Sequence, residues 1–164
     1  MDCSTIQFKY ADQFSEADMA QVIRLFRAAA FWAKDRTEAD MATAIAHSFP
    51  VVTAWDGEVL MGFARATSDG VFRATIWDVV IDPAYQGGGL GRKMVETLLS
   101  HPHMNRVERV YLMTTRQQGF YQRIGFEENP STTMVLFNDT AVEMLPALGQ
   151  PEAVTAPSLL ASAQ

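Results

Sequence analysis

Cysteine is almost absent from this chain. Cys3 stands alone, which excludes an intramolecular disulfide and any Cys-x-x-Cys metal clamp. Nothing around it supports a nucleophile. Basic residues are also scarce, 13 against 19 acids, for a formal net charge of −6. A nucleic-acid binder needs a basic face to displace counterions, so the balance argues against that class. It favours a cationic partner such as an amine, beside the plain reading that the charge serves solubility. No apolar run approaches the length of a membrane span. The opening MDCSTIQFKYADQF has neither the basic start and apolar core of a secretory signal nor the Arg-rich, acid-free texture of a transit peptide. A cytosolic setting is the default expectation.

What is present suits one soluble domain. The 164 residues are 48% hydrophobic and 20% charged, enough to bury a sizeable core. TIQFKYA (5 to 11) alternates as a strand. Ser15 with Asp18 resembles a capping pair, and Met19, Val22, Ile23 and Phe26 form the apolar stripe of a first helix. A second helix starts at Thr37, after the aromatic and charged linker FWAKDR (31 to 36). VVTAW (51 to 55) and EVLMGFARAT (58 to 67) flank Asp56-Gly57, a strong hairpin signal. Ser68-Asp69-Gly70 then turns the chain into VFRATIWDVVID (71 to 82). A helix follows at 90 to 100, a strand at 109 to 115, a short helix ending near Gly125 and a last strand at 131 to 138. The order is β-α-α-β-β-β-α-β-α-β, an α/β fold of the mixed-sheet (α+β) kind. The expected domain runs from 1 to 145, and the Pro-, Ala- and Ser-rich stretch 146 to 164 reads as a loosely ordered tail.

The most informative stretch is YQGGGLGRKM, residues 85 to 94. A helix that begins after a glycine turn offers unpaired N–H groups and the positive end of a dipole, which together attract phosphate. Arg92 and Lys93 place cations where the dipole disfavours them unless an anion is near. The spacing excludes the dinucleotide fingerprint GxGxxG, and no Ser or Thr follows Lys93 as the Walker pattern requires. Two readings remain: the pattern Gln-x-x-Gly-x-Gly at Gln86, Gly89 and Gly91, or a tight strand-to-helix turn.

In context, IWDVVIDPAYQGGGLGRKMVETLL resembles the central motif of the GNAT superfamily of acetyl-CoA-dependent N-acetyltransferases. GFYQRIGF (119 to 126) resembles that family's second motif. Two motifs in the right order are far more specific than either alone. The resemblance covers residues 50 to 137, and the N-terminal helices only by their order. The stretches ARATSDGVF and IWDVVIDPAYQGGGLG are similar to the chloroplast and cyanobacterial branch, which includes plant-type serotonin N-acetyltransferases. That implies a bacterial or cyanobacterial cytoplasm or a plastid stroma.

The resemblance implies a GNAT-type fold and acetyl-CoA as donor, with no metal. It implies that Val79, Val80 and Ile81 pair with the pantetheine arm, beside a β-bulge expected between Trp77 and Val80. It also implies that Gln86, Gly87, Gly88, Gly89, Leu90, Gly91 and Arg92 wrap the pyrophosphate. Tyr121 aligns with the general acid near the coenzyme sulfur, against the alternative of a core tyrosine. Gln117 and Asn129 are polar candidates for cofactor or substrate. Asp78 alternates with Ile76 and Val80, which predicts one shared face. It is a candidate base, directly or through water, since burial makes a carboxylate more basic, or else a structural partner of Arg65 or Arg73. Phe31, Trp32, Phe72 and Trp77 are candidates for an aromatic wall, of which one or two are expected to reach the site. His101 and His103, in HPHM, read as a solvated loop rather than a metal site. His47 ends the second helix. The expected acceptor is a small arylalkylamine such as serotonin or tryptamine. The alternatives are a protein lysine or N-terminal acetyltransferase and a non-catalytic acetyl-CoA-binding module. The protein is expected to act as monomer or homodimer, without nucleic acid or membrane.

Overall fold

The computed structural model describes residues 5–135. It divides into two compact units, Met1–Phe126 and Glu127–Gln164. The first carries β1 (Gln7–Tyr10), α1 (Glu16–Ala29), α2 (Glu38–Ala46), β2 (Val51–Asp56), β3 (Val59–Ser68), β4 (Arg73–Ile81), α3 (Leu90–Ser100), β5 (Arg109–Tyr111) and α4 (Gln118–Gln122). The strands form one sheet in the order β1-β2-β3-β4-β5. The first three pairings are antiparallel and β4–β5 is parallel. This is the expected mixed α/β order. The strand expected at 109 to 115 ends at Tyr111. Residues 131 to 135 of the expected last strand carry no strand, and 136 to 138 lie outside the described residues, as do the tail and Cys3. In the second unit, the side chain of Asn129 accepts from the N–H and hydroxyl of Ser131.

Local chemistry sets the boundaries. Ser15 and Asp18 form a full capping box, each side chain bonding the other residue's N–H. Thr37 caps α2 by accepting from Asp40 N–H, and His47 closes that helix. At Gly57 the hairpin turns with φ of 58°, a conformation glycine adopts without strain. Asp69 pins the next turn, its Oδ1 accepting from the N–H groups of Val71, Phe72 and Arg73.

Two cores flank the sheet. On one face α1 and α2 lay Val22, Leu25, Phe26 and Met41 against Leu60, Phe63 and Val80. On the other, α3 buries Leu90, Met94, Val95 and Leu98 against Val52, Met61, Ala64, Ala66 and Ile76. Each fully buried aliphatic contributes about 1.5–3 kcal/mol. A register shift between Ala54 and Trp55 leaves Met61 as an extra residue in β3. Polar side chains of α1 satisfy the backbone there: Gln21 accepts from Leu60 N–H, and Arg24 donates to Leu60 carbonyl.

His101 and His103 correct the sequence reading. They are part-buried rather than solvated. His101 packs edge-on against Tyr10 and Phe49, His103 against Phe49, and a His103 ring nitrogen lies 3.1 Å from the Ser68 carbonyl. Their spacing serves the junction between α3 and the β3–β4 turn.

Three backbone donors, that of Arg73 foremost, hold the Asp69 carboxyl below its ordinary value of 3.8. A depressed carboxyl stabilises the fold above the unfolded-state value and loses that contribution as pH falls through the folded value. The expected outcome for Asp69→Asn is a lower Tm than wild type at pH 7. The two melting curves should converge as the pH is lowered below 3.8. Thermal denaturation across that range is the check.

Candidate active site

The site begins with a defect in β4. Arg65 pairs with Trp77 and Phe63 with Val80, so Ala64 stands opposite two residues, Asp78 and Val79. This is a β-bulge, within the expected stretch. Asp78 takes φ of 51°, the one positive value among the described non-glycine residues, in a region that costs most side chains about 1–2 kcal/mol and that Asp tolerates better. The bulge breaks the two-residue period. Ile76 therefore joins the α3 core while Val80 joins the α1–α2 core. The shared face expected for Ile76, Asp78 and Val80 is overturned, because the extra residue at the bulge swaps the faces beyond it.

Four N–H contacts hold the Asp78 carboxylate. Arg65 Nε reaches Oδ2 at 2.8 Å, and Arg36 Nη1 reaches both oxygens at 3.0 and 3.1 Å. Trp32 Nε1 approaches Oδ1 at 3.4 Å. The Asp78 side chain is only 5% exposed. A carboxylate has about four acceptor directions, so the protein itself already occupies them. Arg65 is one of the two partners expected from sequence. Arg73, the other, pairs with Glu108 instead.

Around the bulge the sheet opens. β5 pairs β4 only at Arg73, Ala74 and Thr75, so the same edge of β4 is unpaired from Ile76 to Ile81 among the described residues. Between that edge and Leu112–Thr115 lies a cleft of about 1180 Å³. Val79, Val80 and Ile81 line it, with Gln86, Gly87, Gly89, Leu90, Gly91, Arg92, Gln117, Tyr121 and Asp78. Gly88 is absent from the lining. Phe31, Trp32 and Trp77 line it as well, more of the aromatic set than expected, whereas Phe72 stands exposed at the β3–β4 turn.

The glycine loop delivers α3 to this cleft. Gln86 Nε2 donates to the Ile81 carbonyl at 3.0 Å, tying loop to strand. Gly89 is the N-cap, with φ of 79° and no side-chain cap. The helix's own bonding starts with Lys93 N–H to Gly89 carbonyl. The amides of Leu90, Gly91 and Arg92 precede it without an intrahelical partner, and all three residues line the cleft. Arg92 is offset by Glu96 one turn on, at 2.7 Å. Arg116 and Arg123 also line the cleft, so among the described residues four arginines surround a space whose one lining acid is Asp78. Sequence reasoning missed Arg116 and Arg123, although both flank the GFYQ motif.

Tyr121 lines the cleft on α4, its ring edge-on to Phe120 and Phe126. Its hydroxyl makes no hydrogen bond among the described residues. Burial raises its pKa above the ordinary phenol value, so it stays protonated at neutral pH. Gln117 starts α4, its carbonyl accepting from Phe120 and Tyr121 N–H. Among the described residues no helix is long and apolar enough to cross a membrane.

An opened sheet edge, an uncapped helix N-terminus and a part-buried phenol meet in one cleft, a frame suited to an anionic ligand. The comparisons agree. The family model described as "Acetyltransferase (GNAT) family" matches residues 19–126, and the chain belongs to that family, whose acyl donor is acetyl-CoA. It is 46% identical over 79 residues to GCN5-related N-acetyltransferase 2, chloroplastic, of Arabidopsis thaliana, covering 48% of this chain and 31% of that protein. To Histone acetyltransferase TAP1 of Glycine max it is 43% identical over 79 residues, 48% of this chain and 34% of that protein. To Serotonin N-acetyltransferase 2, chloroplastic, of Oryza sativa subsp. japonica it is 44% identical over 71 residues, 43% and 36% of the two chains. The matched stretch thus spans about a third of these curated relatives. A solved GNAT family protein of Streptococcus pneumoniae superposes with TM-score 0.68 at 25% identity, over 81% of this chain and 98% of that one. An acetyltransferase-like structure from Xanthomonas campestris gives 0.65 at 24% identity, over 93% and 96%.

Removing the bulge carboxylate strands two guanidiniums and leaves a side chain less tolerant of positive φ. Asp78→Ala is expected to cost about 3 kcal/mol. Asp78→Asn, which keeps an acceptor and tolerates the backbone, should cost clearly less. Denaturant titration of both variants checks the order.

Proposed function

We propose that this chain is an acetyl-CoA-dependent N-acetyltransferase that moves acetyl to a primary amine by direct attack in a ternary complex. The observation that carries it is the convergence of the free α3 amides, the unpaired edge of β4 and Tyr121 on one cleft. The donor set fits the group. Backbone N–H groups of Gly87 to Arg92 and the guanidiniums of Arg92, Arg116 and Arg123 suit phosphates. The open edge at Val79, Val80 and Ile81 suits an amide-bearing arm lying as an added strand.

Acetyl-CoA, when bound, supplies an activated acetyl thioester. The chain's residues do the rest. The β4 edge and glycine loop fix the donor's position, so the amine meets it within one complex. The N–H of Val80 or a neighbour on that edge faces the developing charge on the carbonyl oxygen. Tyr121 donates its proton to the leaving sulfur, a role its protonated state permits. Asp78 acts as a positioning residue: with its oxygens held by Arg65 and Arg36, the amine's proton leaves through solvent in the cleft.

For the acceptor, Phe31, Trp32 and Trp77 favour a small amine with an aromatic body, a class in which serotonin and tryptamine are decarboxylated members. The rice relative's name supports this branch. The soybean relative's name supports the second reading, a protein lysine or N-terminal acetyltransferase. Exposure of Phe31 at 65% and Trp32 at 48% suits either a pocket wall or a peptide platform. The chloroplastic relatives support a plastid stroma as setting, with a bacterial cytoplasm as the alternative.

Tyr121→Phe tests the chemistry. The expected result is a loss of kcat of roughly 10²-fold or more with acetyl-CoA affinity within twofold of wild type. Because burial raises the phenol's pKa, the wild-type rate should hold to about pH 10 and fall only above it. The variant should lack that alkaline limb. An unchanged kcat would remove Tyr121 as the acid, and failure of acetyl-CoA to bind wild type would remove the activity.

A further inference from the structure

We propose that the acceptor carries a carboxylate beside its amine and an aromatic body, as a free aromatic amino acid does, and that Arg36 binds that carboxylate. This rests on the acetyltransferase reading and names its substrate class.

The end of the cleft away from the glycine loop holds Trp32, Arg36, Trp77 and Asp78. Two guanidiniums there, Arg36 and Arg65, share one carboxylate, which leaves one positive charge over. A decarboxylated arylalkylamine brings a second cation into this end and has nothing to neutralise the surplus. An amino acid brings a carboxylate together with its ammonium, so it adds no net charge and offers the surplus guanidinium an anion.

The geometry of Arg36 is specific. Only Nη1 reaches Asp78, at 3.0 and 3.1 Å. Its further contact, to Met41 sulfur at 4.0 Å, also uses Nη1. Nε and Nη2 have no partner among the described residues. Those two nitrogens form the side-on fork that grips a carboxylate with parallel hydrogen bonds. Arg65 differs. Its Nε and Nη1 are spent on Asp78 and Ser48, and its side chain is 13% exposed against 38% for Arg36. Arg36 is therefore the reachable cation, and Asp78 holds it in place. Trp32 lies beside it, bonded to the same carboxylate, so a ring stacked on the aromatic wall puts a neighbouring carboxylate near the fork.

The test is a matched-pair assay of thiol release from acetyl-CoA, tryptophan against tryptamine and phenylalanine against phenethylamine. Wild type should favour the amino acid in kcat/KM by roughly 10-fold or more, the worth of a hydrogen-bonded charge pair. Arg36→Gln should collapse the ratio toward one, and Arg36→Lys, which keeps the charge without the fork, should restore part of it. A preference for the decarboxylated partner, or a ratio unchanged in Arg36→Gln, overturns the inference. A second readout needs no turnover: calorimetric titration of N-acetyltryptophan and N-acetyltryptamine into wild type saturated with coenzyme A. Tighter binding of the acid supports the carboxylate site, and equal affinities overturn it. Absence of turnover with every amine would instead count against the acetyltransferase reading, leaving the titration to decide the carboxylate.

Discussion

The bulge at Asp78 is the constraint on which the site depends. One residue inserted into β4 opposite Ala64 turns the strand and exchanges the faces of everything after it, just past Thr75, the last residue of β4 that pairs with β5. The strained backbone is retained because Asp78 is tied from three directions, by Arg65 on the neighbouring strand and by Trp32 and Arg36 from the linker between α1 and α2. Those contacts also pull the aromatic linker over the opened sheet. One carboxylate thus shapes the backbone, the cleft and its aromatic wall together. Sites that hold such strain need surroundings that over-determine it, and here the surroundings are named side chains.

Electrostatics follow a similar division. The chain carries a net charge of −6, yet among the described residues the cleft is lined by four arginines and one acid. The bulk charge is acidic, while the local lining suits anionic groups. The α3 terminus adds partial positive charge in the same place. The cations at Arg92 and Lys93, at odds with the helix dipole in isolation, fit the proposed phosphate site. Burial of Tyr121 completes the arrangement by keeping a phenol neutral beside these charges.

Much of this was legible in the sequence, wherever local chemistry decides the structure. Ser15 with Asp18, Asp56-Gly57 and Ser68-Asp69-Gly70 specify a cap and two turns from neighbouring residues alone, and each sits where expected. The glycine loop before α3 was legible for the same reason. The parity of β4 was not, because a bulge is settled by pairing with a distant strand and leaves an apolar run looking regular. Arg36 was hidden in its linker, since its importance comes from an ion pair across 42 positions. Arg116 and Arg123 read as ordinary surface cations until the fold turned them to one cleft. His101 and His103 looked solvated because their partners, Tyr10 and Phe49, are remote in sequence.

The central claim is that the opened edge of β4 and the first amides of α3 receive acetyl-CoA. Backbone amide NMR of labelled protein during acetyl-CoA titration tests it most directly. The account requires saturable shifts concentrated at Val79 to Ile81 and Gly87 to Arg92, with little change at Val51 to Ala54 on the far strand. Saturable shifts centred elsewhere, or none with acetyl-CoA in excess, would contradict it.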